Sequence, residues 1–333
     1  MRAALHRTDA GRLVKPAAVV LLLAMAILLP YQLTTYQVYL VGVVLVSAIA
    51  ATGLNLVMGY AGLASVGNAA FLGIGAFTAV FVSSRMHLPL PLLVVLGGLS
   101  AAFFSVLSAI PALRLRGLYL AMPTLALQFI AQYVFLRVQE VQHAFSGFTI
   151  PTPDLDLTQW YFILLGVLVV SLLVVRNVVR SKFGRGFIAL RESEPAAEGC
   201  GIDVRGYKLF AFLLSGFIIG VAGVLSGAFQ GSVDSATYSL DLTIQYIAMI
   251  IIGGMGYLGG GVVGAMVVVL APQVLSRMLP GNSVNVAFIQ DAAYGVLLVA
   301  FLIVKPGGLS AVAEDAVAYT ARLGRFISAR RGS

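Results

Sequence analysis

The residue pattern with the most direct chemical meaning is a literal GxGxxG, the run GMGYLG at residues 254–259. In a dinucleotide-binding unit such glycines follow a strand, open an amphipathic helix and precede, by about 20 residues, an acid that binds the ribose. Here the run lies between two apolar stretches, and residues 274–283 (VLSRMLPGNS) contain no acid. The pattern therefore does not predict a nucleotide site.

Side chains that usually perform metal, redox or hydrolytic chemistry are scarce and scattered. The chain has one cysteine, Cys200, and three histidines, His6, His87 and His143, that lie far apart. The sequence contains no Walker A, HExxH or GxSxG motif. We expect no catalytic residue, no metal ligand and no cofactor, so any ATP that drives this protein must be hydrolysed on a partner chain.

Polar residues within the apolar stretches are the remaining candidates for function, because the bilayer core disfavours them unless they have a role. The candidates for a translocation path are Asn55, Asn68, Thr124, Gln128, Gln245 and Asp291. Asp291 is the only acid predicted within a span, about one turn from its outer end. A proton-driven carrier would normally need a deeper acid or a histidine relay, so this set argues against that mechanism.

The composition indicates that these residues lie in a membrane protein. Hydrophobic residues make up 60% of the 333 and charged residues 10%, against about 25% charged in a soluble domain. A span needs about 20 apolar residues, which predicts an all-α, polytopic bundle of about ten spans, the third and eighth glycine-rich and open to a break. The spans are placed near 17–34, 37–58, 62–82, 90–112, 118–137, 160–178, 208–229, 242–258, 262–279 and 287–304.

The basic residues predict the orientation of this bundle. A net charge of +8 does not indicate a nucleic-acid partner here, because the basic residues form short clusters between apolar stretches. With the N-terminus inside, ten spans place 18 of the 21 Lys and Arg residues in the cytoplasm, as the positive-inside rule requires. We predict cytoplasmic segments at 1–16, 180–207 and 305–333, a transmembrane domain at 17–304, an outer loop at 138–159, and an amphipathic tail helix on anionic lipid.

Glycines recur at spacings that favour close helix packing. Gly216, Gly220, Gly223 and Gly227 form small-xxx-small ladders, which let helix backbones approach in lipid. A weak internal echo also involves glycine: LVMGYAGL (56–63) is similar to IGGMGYLGG (252–260). Both segments follow spans of the same predicted direction, so either an ancient duplication or shared glycine bias could explain them.

Longer stretches resemble a known family, and they cover most of residues 40–310 in order. They are GLNLVMGYAGLASVGNAAFLGIGAFTA (53–79), GRGFIALRESEPAAEGCGIDVRGYKLFAF (184–212), YSLDLTIQYIAMIIIGGMGYLGGGVVGA (238–265) and YGVLLVAFLIVKPGGL (294–309). They resemble the branched-chain amino acid ABC permeases of the LivH/LivM type, most closely LivM. The resemblance implies a multi-pass permease in a bacterial or archaeal inner membrane. It also implies a second, LivH-like permease, cytoplasmic ATPase subunits and a periplasmic or lipid-anchored substrate-binding protein.

The segment 180–207 resembles the coupling loop of ABC permeases, where a glutamate-alanine-alanine run is followed by a glycine. By that resemblance, the residues that dock on the ATPase are Arg185, Arg191, Glu194, Ala196, Ala197, Glu198 and Gly201. Pro195 suits a first helical turn, and Gly199 or Gly201 suits a left-handed end. We predict a helix of about two turns that needs a partner's groove for stability, with the alanines approaching that groove and the charged residues pairing around it.

The resemblance implies a permease subunit that translocates branched-chain or other hydrophobic amino acids. Family members commonly carry a Thr-Gly-Gly loop after the fifth span, whereas this chain reads HAFSGFTIP (143–151). Urea, amides and aromatic acids are therefore alternative substrates, and a stand-alone ion-coupled carrier is an alternative mechanism. Transport that persists without any ATPase would favour the carrier.

Overall fold

A computed structural model of the chain describes residues 32–86, 88–113, 117–144, 147–150 and 155–278, with Pro30 and Gly295 as isolated positions. These residues form α-helices joined by short turns, and no β-strand occurs among them apart from an isolated bridge between Phe148 and Val233. The helices are α1 (Thr35–Asn55), α2 (Asn68–Arg85), α3 (Leu90–Ala112), α4 (Ala121–Val141), α5 (Leu157–Arg180), α6 (Lys182–Glu192), α7 (Glu194–Gly199), α8 (Val204–Gln230), α9 (Leu240–Gly253) and α10 (Gly260–Met278).

Five helical stretches in the described part of the chain are long and apolar enough to cross a membrane. They are Thr35–Tyr60, Leu90–Pro111, Ala121–Val141, Leu157–Arg180 and Val204–Gln230, with shorter apolar helices at Leu240–Gly253 and Gly260–Val274. Helices suit this role because each satisfies its own backbone hydrogen bonds in lipid. The all-α prediction is confirmed for these residues. Most of the first predicted span, the whole tenth span and both cytoplasmic tails lie outside the described residues.

Two of the predicted spans are shorter as helices than expected. Residues 62–67 of the third span are not helical, and α2 begins only at Asn68. The eighth span ends as a helix at Gly253, several residues before the predicted 258. A glycine with positive φ lies at each break: Gly62 has φ +68° and Gly254 has φ +108°. Residues with a Cβ rarely adopt these values. The third and eighth spans, predicted at 62–82 and 242–258 and left open to a break, are therefore both interrupted.

α8 is the central helix, and its glycines permit the close packing that the sequence predicted. A Cβ added to Gly220 would clash with Ala101 and the Gly97 carbonyl of α3. A Cβ added to Gly223 would clash with the Leu72 carbonyl of α2. The helix backbones thus approach more closely than larger residues would allow, which supplies van der Waals contact where lipid supplies no hydrophobic drive.

The helices alternate in direction between two ends of the bundle. One end, called the coupling end here, carries α6 and α7. At the opposite end the Phe148–Val233 bridge forms with N···O distances of 2.9 and 2.7 Å, and the Gln139 side chain accepts a 2.9 Å hydrogen bond from the Ser235 amide. Trp160, at the start of α5, packs edge-on against Phe229 near the end of α8. This alternation is the one the predicted topology requires, and the side of the membrane that each end faces stays a prediction.

Candidate functional site

The coupling end is built on α6, which is anchored to the start of α8 by aromatic packing. Ser181 caps α6, its hydroxyl accepting a 3.1 Å hydrogen bond from the Phe183 amide. The Phe183 ring stacks on Phe210 at a centroid distance of 4.4 Å, and buried Phe187 packs edge-on against Tyr207. α6 is therefore fixed to the transmembrane bundle along one face, while Arg185 on that helix is exposed.

α7 is a six-residue helix with a hydrogen-bonded cap at each end. Ser193 is its N-cap, and its side chain accepts a 3.4 Å hydrogen bond from the Ala196 amide. At the other end Gly201 has φ +79°. The Gly201 amide donates to the Glu198 carbonyl at 3.0 Å and the Ile202 amide to the Ala197 carbonyl at 3.1 Å, a pair that defines a Schellman motif. The left-handed stop predicted at Gly199 or Gly201 is thus found at Gly201.

The division of α7 into an exposed and a buried face differs from the sequence prediction. Ala197 is 3% exposed and packs within this chain, whereas Ala196, Glu198 and Gly201 are exposed. The expectation that both alanines approach a partner is wrong for Ala197, because the helix is so short that one of its sides must rest on the bundle. Of the predicted docking residues on α7, Ala196 and Glu198 are the exposed ones.

Glu194 does not point toward a partner either, because it is engaged by a lysine of the same chain. The Lys208 ammonium lies 2.8 and 2.9 Å from the two Glu194 carboxylate oxygens. The Lys208 side chain is 2% exposed and that of Glu194 16%. The predicted pairing of Glu194 with charges on a partner is therefore corrected to a largely buried ion pair that ties the start of α7 to the first turns of α8.

Arg191 is exposed, and its guanidinium also bonds to the bundle. Its Nη1 donates a 2.7 Å hydrogen bond to the Gly59 carbonyl. Gly59 belongs to a π-helical turn, Leu56–Tyr60, that continues α1 at the coupling end. This charge-assisted bond joins the end of α6 to the end of α1. Arg191 is still exposed, so its contact with a partner stays a prediction. π-turns free carbonyls from the regular i→i+4 ladder and occur frequently at functional positions.

Asn55 connects that same turn to the break between α9 and α10. It is 2% exposed. Its Nδ2 donates to the Tyr257 carbonyl at 2.7 Å, and its Oδ1 accepts from the Gly256 amide at 2.9 Å. A Cβ on Gly59 would have no room, because the Gly256 backbone nitrogen occupies that space. The two similar MGY segments noted in the sequence therefore pack against each other, with Asn55 bonded across their contact.

Thr124 and Gln128, two further path candidates, are brought together at the buried start of α2. Helix termini leave amide groups without intrahelical partners, and side chains of α4 and α9 satisfy them here. Thr124 accepts from the Val66 amide at 3.0 Å, Gln128 from the Ala70 amide at 2.7 Å, and Thr243 from the Ala69 amide at 3.0 Å. Gln128 also donates to the Tyr238 carbonyl at 3.0 Å.

This cluster modifies the path hypothesis and adds one residue to it. Thr124, Gln128 and Thr243 are each 0% exposed and cap a broken helix. Sequence reasoning passed over Thr243, although a threonine within the predicted eighth span was the available signal. Asn68, the first residue of α2, is also 0% exposed, and neither its Oδ1 nor its Nδ2 has a hydrogen-bond partner.

The other two path candidates lie elsewhere. Gln245 of α9 lines a cavity of about 310 Å³ between α1, α8, α9 and α10, far from the coupling end. Asp291 lies outside the described residues.

The chain is similar to transport proteins over most of its length. The model of the family described as "Branched-chain amino acid transport system / permease component" matches residues 36–304. The high-affinity branched-chain amino acid permease protein LivM of Escherichia coli is 28% identical over 87% of this chain and 73% of its own. A probable LivH permease of Methanocaldococcus jannaschii is 27% identical over 68% of this chain and 75% of its own.

More distant transporters match a shorter region. The D-allose permease protein AlsC of Escherichia coli is 34% identical over 28% of each chain. No solved structure matches the chain.

Proposed function

The chain belongs to the family of permease components of branched-chain amino acid transport systems, and we propose that it imports neutral apolar amino acids when α6 and α7 are moved by a partner ATPase. It is a permease subunit of an ABC importer. The amino-acid substrate is supported by the names of the relatives that align along most of the chain.

One observation carries the mechanism: the predicted coupling segment is bonded directly to α8 and to the π-turn that ends α1. Glu194 binds Lys208 of α8, and Arg191 binds the π-turn of α1. Asn55, next to that turn, binds the loop between α9 and α10. A displacement of α6 and α7 would thus reach α8 directly through Lys208. It would also reach α1, α9 and α10 through short polar contacts at the ends where those helices are broken.

The remaining partners follow from this arrangement and from the family. Cytoplasmic ATPases would contact exposed residues of the coupling segment, among them Arg185, Ala196, Glu198 and Gly201. A second, LivH-like permease would complete the path, and a binding protein would deliver substrate at the opposite end. The positive-inside count supports an inner membrane in which the coupling end faces the cytoplasm.

The test is uptake by the reconstituted complex of both permeases, the ATPases and the binding protein. We expect L-leucine to enter liposomes only when ATP is on the ATPase side. An Ala196→Glu variant places a charge on the exposed face of α7 and should abolish uptake, whereas Ala196→Ser, which keeps a small neutral side chain at the same position, should not. Uptake without the ATPases would contradict the proposal and favour an ion-coupled carrier.

A further inference from the structure

The structure contains a cavity whose position and chemistry no comparison explains. It measures about 310 Å³ and is enclosed by α1, α8, α9 and α10 in the half of the bundle opposite the coupling end. Small-ligand sites begin at about 300 Å³, so the space suits a small solute. Resting on the proposed function, we infer that this cavity is the permease's own binding subsite for a neutral, zwitterionic solute with an apolar side chain.

The polar groups of the lining are all uncharged. They are the hydroxyl and amide side chains of Ser47, Ser226, Gln230, Thr237, Gln245 and Gln273, with the phenol of Tyr246. Hydroxyl and amide groups both donate and accept hydrogen bonds, so they can hold a carboxylate and an ammonium alike. No lining residue is charged, and a solute with a net charge would be desolvated without a counter-ion. The lining therefore selects for zero net charge.

The polar groups are arranged from an exposed mouth to a buried floor. Gln230, Thr237 and Gln245 are exposed, whereas Leu72 and Met249 are 1% and 2% exposed. A bound solute would place its charged head among the mouth amides and its side chain on the apolar floor. Ion pairs are absent from this lining, so the affinity should be weak and tight selection should belong to the separate binding protein.

The cavity is bounded by helices that are connected to the coupling segment by hydrogen bonds, either directly or through Asn55. Ser47 lies on α1, which ends in the π-turn held by Arg191. Gln245 and Val269 lie on α9 and α10, whose connecting loop is held by Asn55. A movement of the coupling end would therefore change the walls of the cavity, which is what a site that must release its solute toward the other side requires.

Protection of an introduced thiol tests the inference directly. Thr237→Cys lines the cavity and Ala236→Cys, its exposed neighbour in the same turn, does not. Both are made in a Cys200→Ala background, which removes the chain's one native cysteine. The thiol-labelling rate is measured in the complex of permeases and ATPases, without binding protein or nucleotide, with L-leucine, L-lysine or L-glutamate.

We expect L-leucine to slow labelling at position 237 and leave position 236 unchanged. At a concentration about twice the Kd the rate should fall about threefold, because the unoccupied fraction is 1/(1+[L]/Kd). L-Lysine and L-glutamate should not protect. Equal labelling at position 237 with and without leucine up to its solubility limit, or equal protection at both positions, would overturn the inference.

A transport variant separates this inference from the proposed function. Val269→Trp fills the cavity, and Val263→Trp places the same ring on the same helix at an exposed position outside the lining. If the wild-type complex shows ATP-dependent uptake, the proposed function holds. We then expect Val269→Trp to reduce leucine uptake at least tenfold and Val263→Trp to leave it near wild type. Equal uptake by the two variants would refute the subsite alone.

Discussion

Removal of the carboxylate that binds Lys208 should destabilise the permease more than removal of the lysine itself. Breaking a buried ion pair by deleting one partner costs about 3–5 kcal/mol, because the other charge keeps its desolvation penalty. The Lys208 side chain is 2% exposed, whereas Glu194 is 16% exposed and nearer to water. Glu194→Gln should therefore lower the free energy of unfolding by about 3 kcal/mol, and Lys208→Met by only about 1 kcal/mol.

The double variant makes the prediction specific. Glu194→Gln with Lys208→Met removes both charges, so the stability should return close to that of Lys208→Met alone, with an interaction energy of about 3 kcal/mol in magnitude. The free energy of unfolding of the purified permease, from reversible SDS titration in mixed micelles, measures all three variants. Glu140→Gln is the control, since its ion pair with Arg137 is solvent-exposed and should contribute little.

Additive effects of the two single variants would refute this reasoning. They would mean that the two charges do not interact across the junction of α7 and α8. Equal losses for Glu194→Gln and Lys208→Met would likewise contradict the asymmetry of burial on which the magnitudes rest.

Three further substitutions have defined outcomes. Gly201→Val forces a β-branched residue to φ +79°, at about 1–2 kcal/mol, so α7 should fray and ATP-driven uptake should fall while immunoblots show normal membrane levels. Asn55→Leu leaves the Tyr257 carbonyl and the Gly256 amide without their bonds, at about 1–3 kcal/mol each, so the apparent Tm should drop; an unchanged Tm would contradict this. Gln128→Leu removes the bonds to the Ala70 amide and the Tyr238 carbonyl and should also lower the Tm; a wild-type Tm would refute this role of Gln128.

The hydropathy of the sequence was sufficient to predict the helices that cross the lipid. α3, α5 and α8 lie close to the predicted spans 90–112, 160–178 and 208–229, because long apolar runs have one stable conformation in a bilayer. The sequence also predicted the role of the glycine ladder on α8, because small residues at a four-residue spacing mainly serve close helix packing in lipid. The Schellman stop at Gly201 followed from local backbone preferences alone.

The contacts that connect the coupling segment to the bundle could not be read from the sequence. Lys208 stands at the start of an apolar span, where a snorkelling lysine is the ordinary expectation, and nothing local indicates that Glu194 binds it. The bonds from Arg191 to Gly59 and from Asn55 to Tyr257 join residues 132 and 202 positions apart. Such long-range contacts depend on how the broken helix ends pack against each other. Hydropathy and secondary-structure propensity do not encode that packing.

The number of leucine molecules imported per ATP hydrolysed by Arg191→Met tests the central claim most directly, since the bond of Arg191 to Gly59 joins α6 to the π-turn. Arg180→Met, at an exposed arginine in the last turn of α5, is the matched control. The account predicts that Arg191→Met continues to hydrolyse ATP while uptake falls at least tenfold, and that Arg180→Met keeps the wild-type ratio. An Arg191→Met complex with the wild-type ratio would contradict coupling through the broken ends of the transmembrane helices.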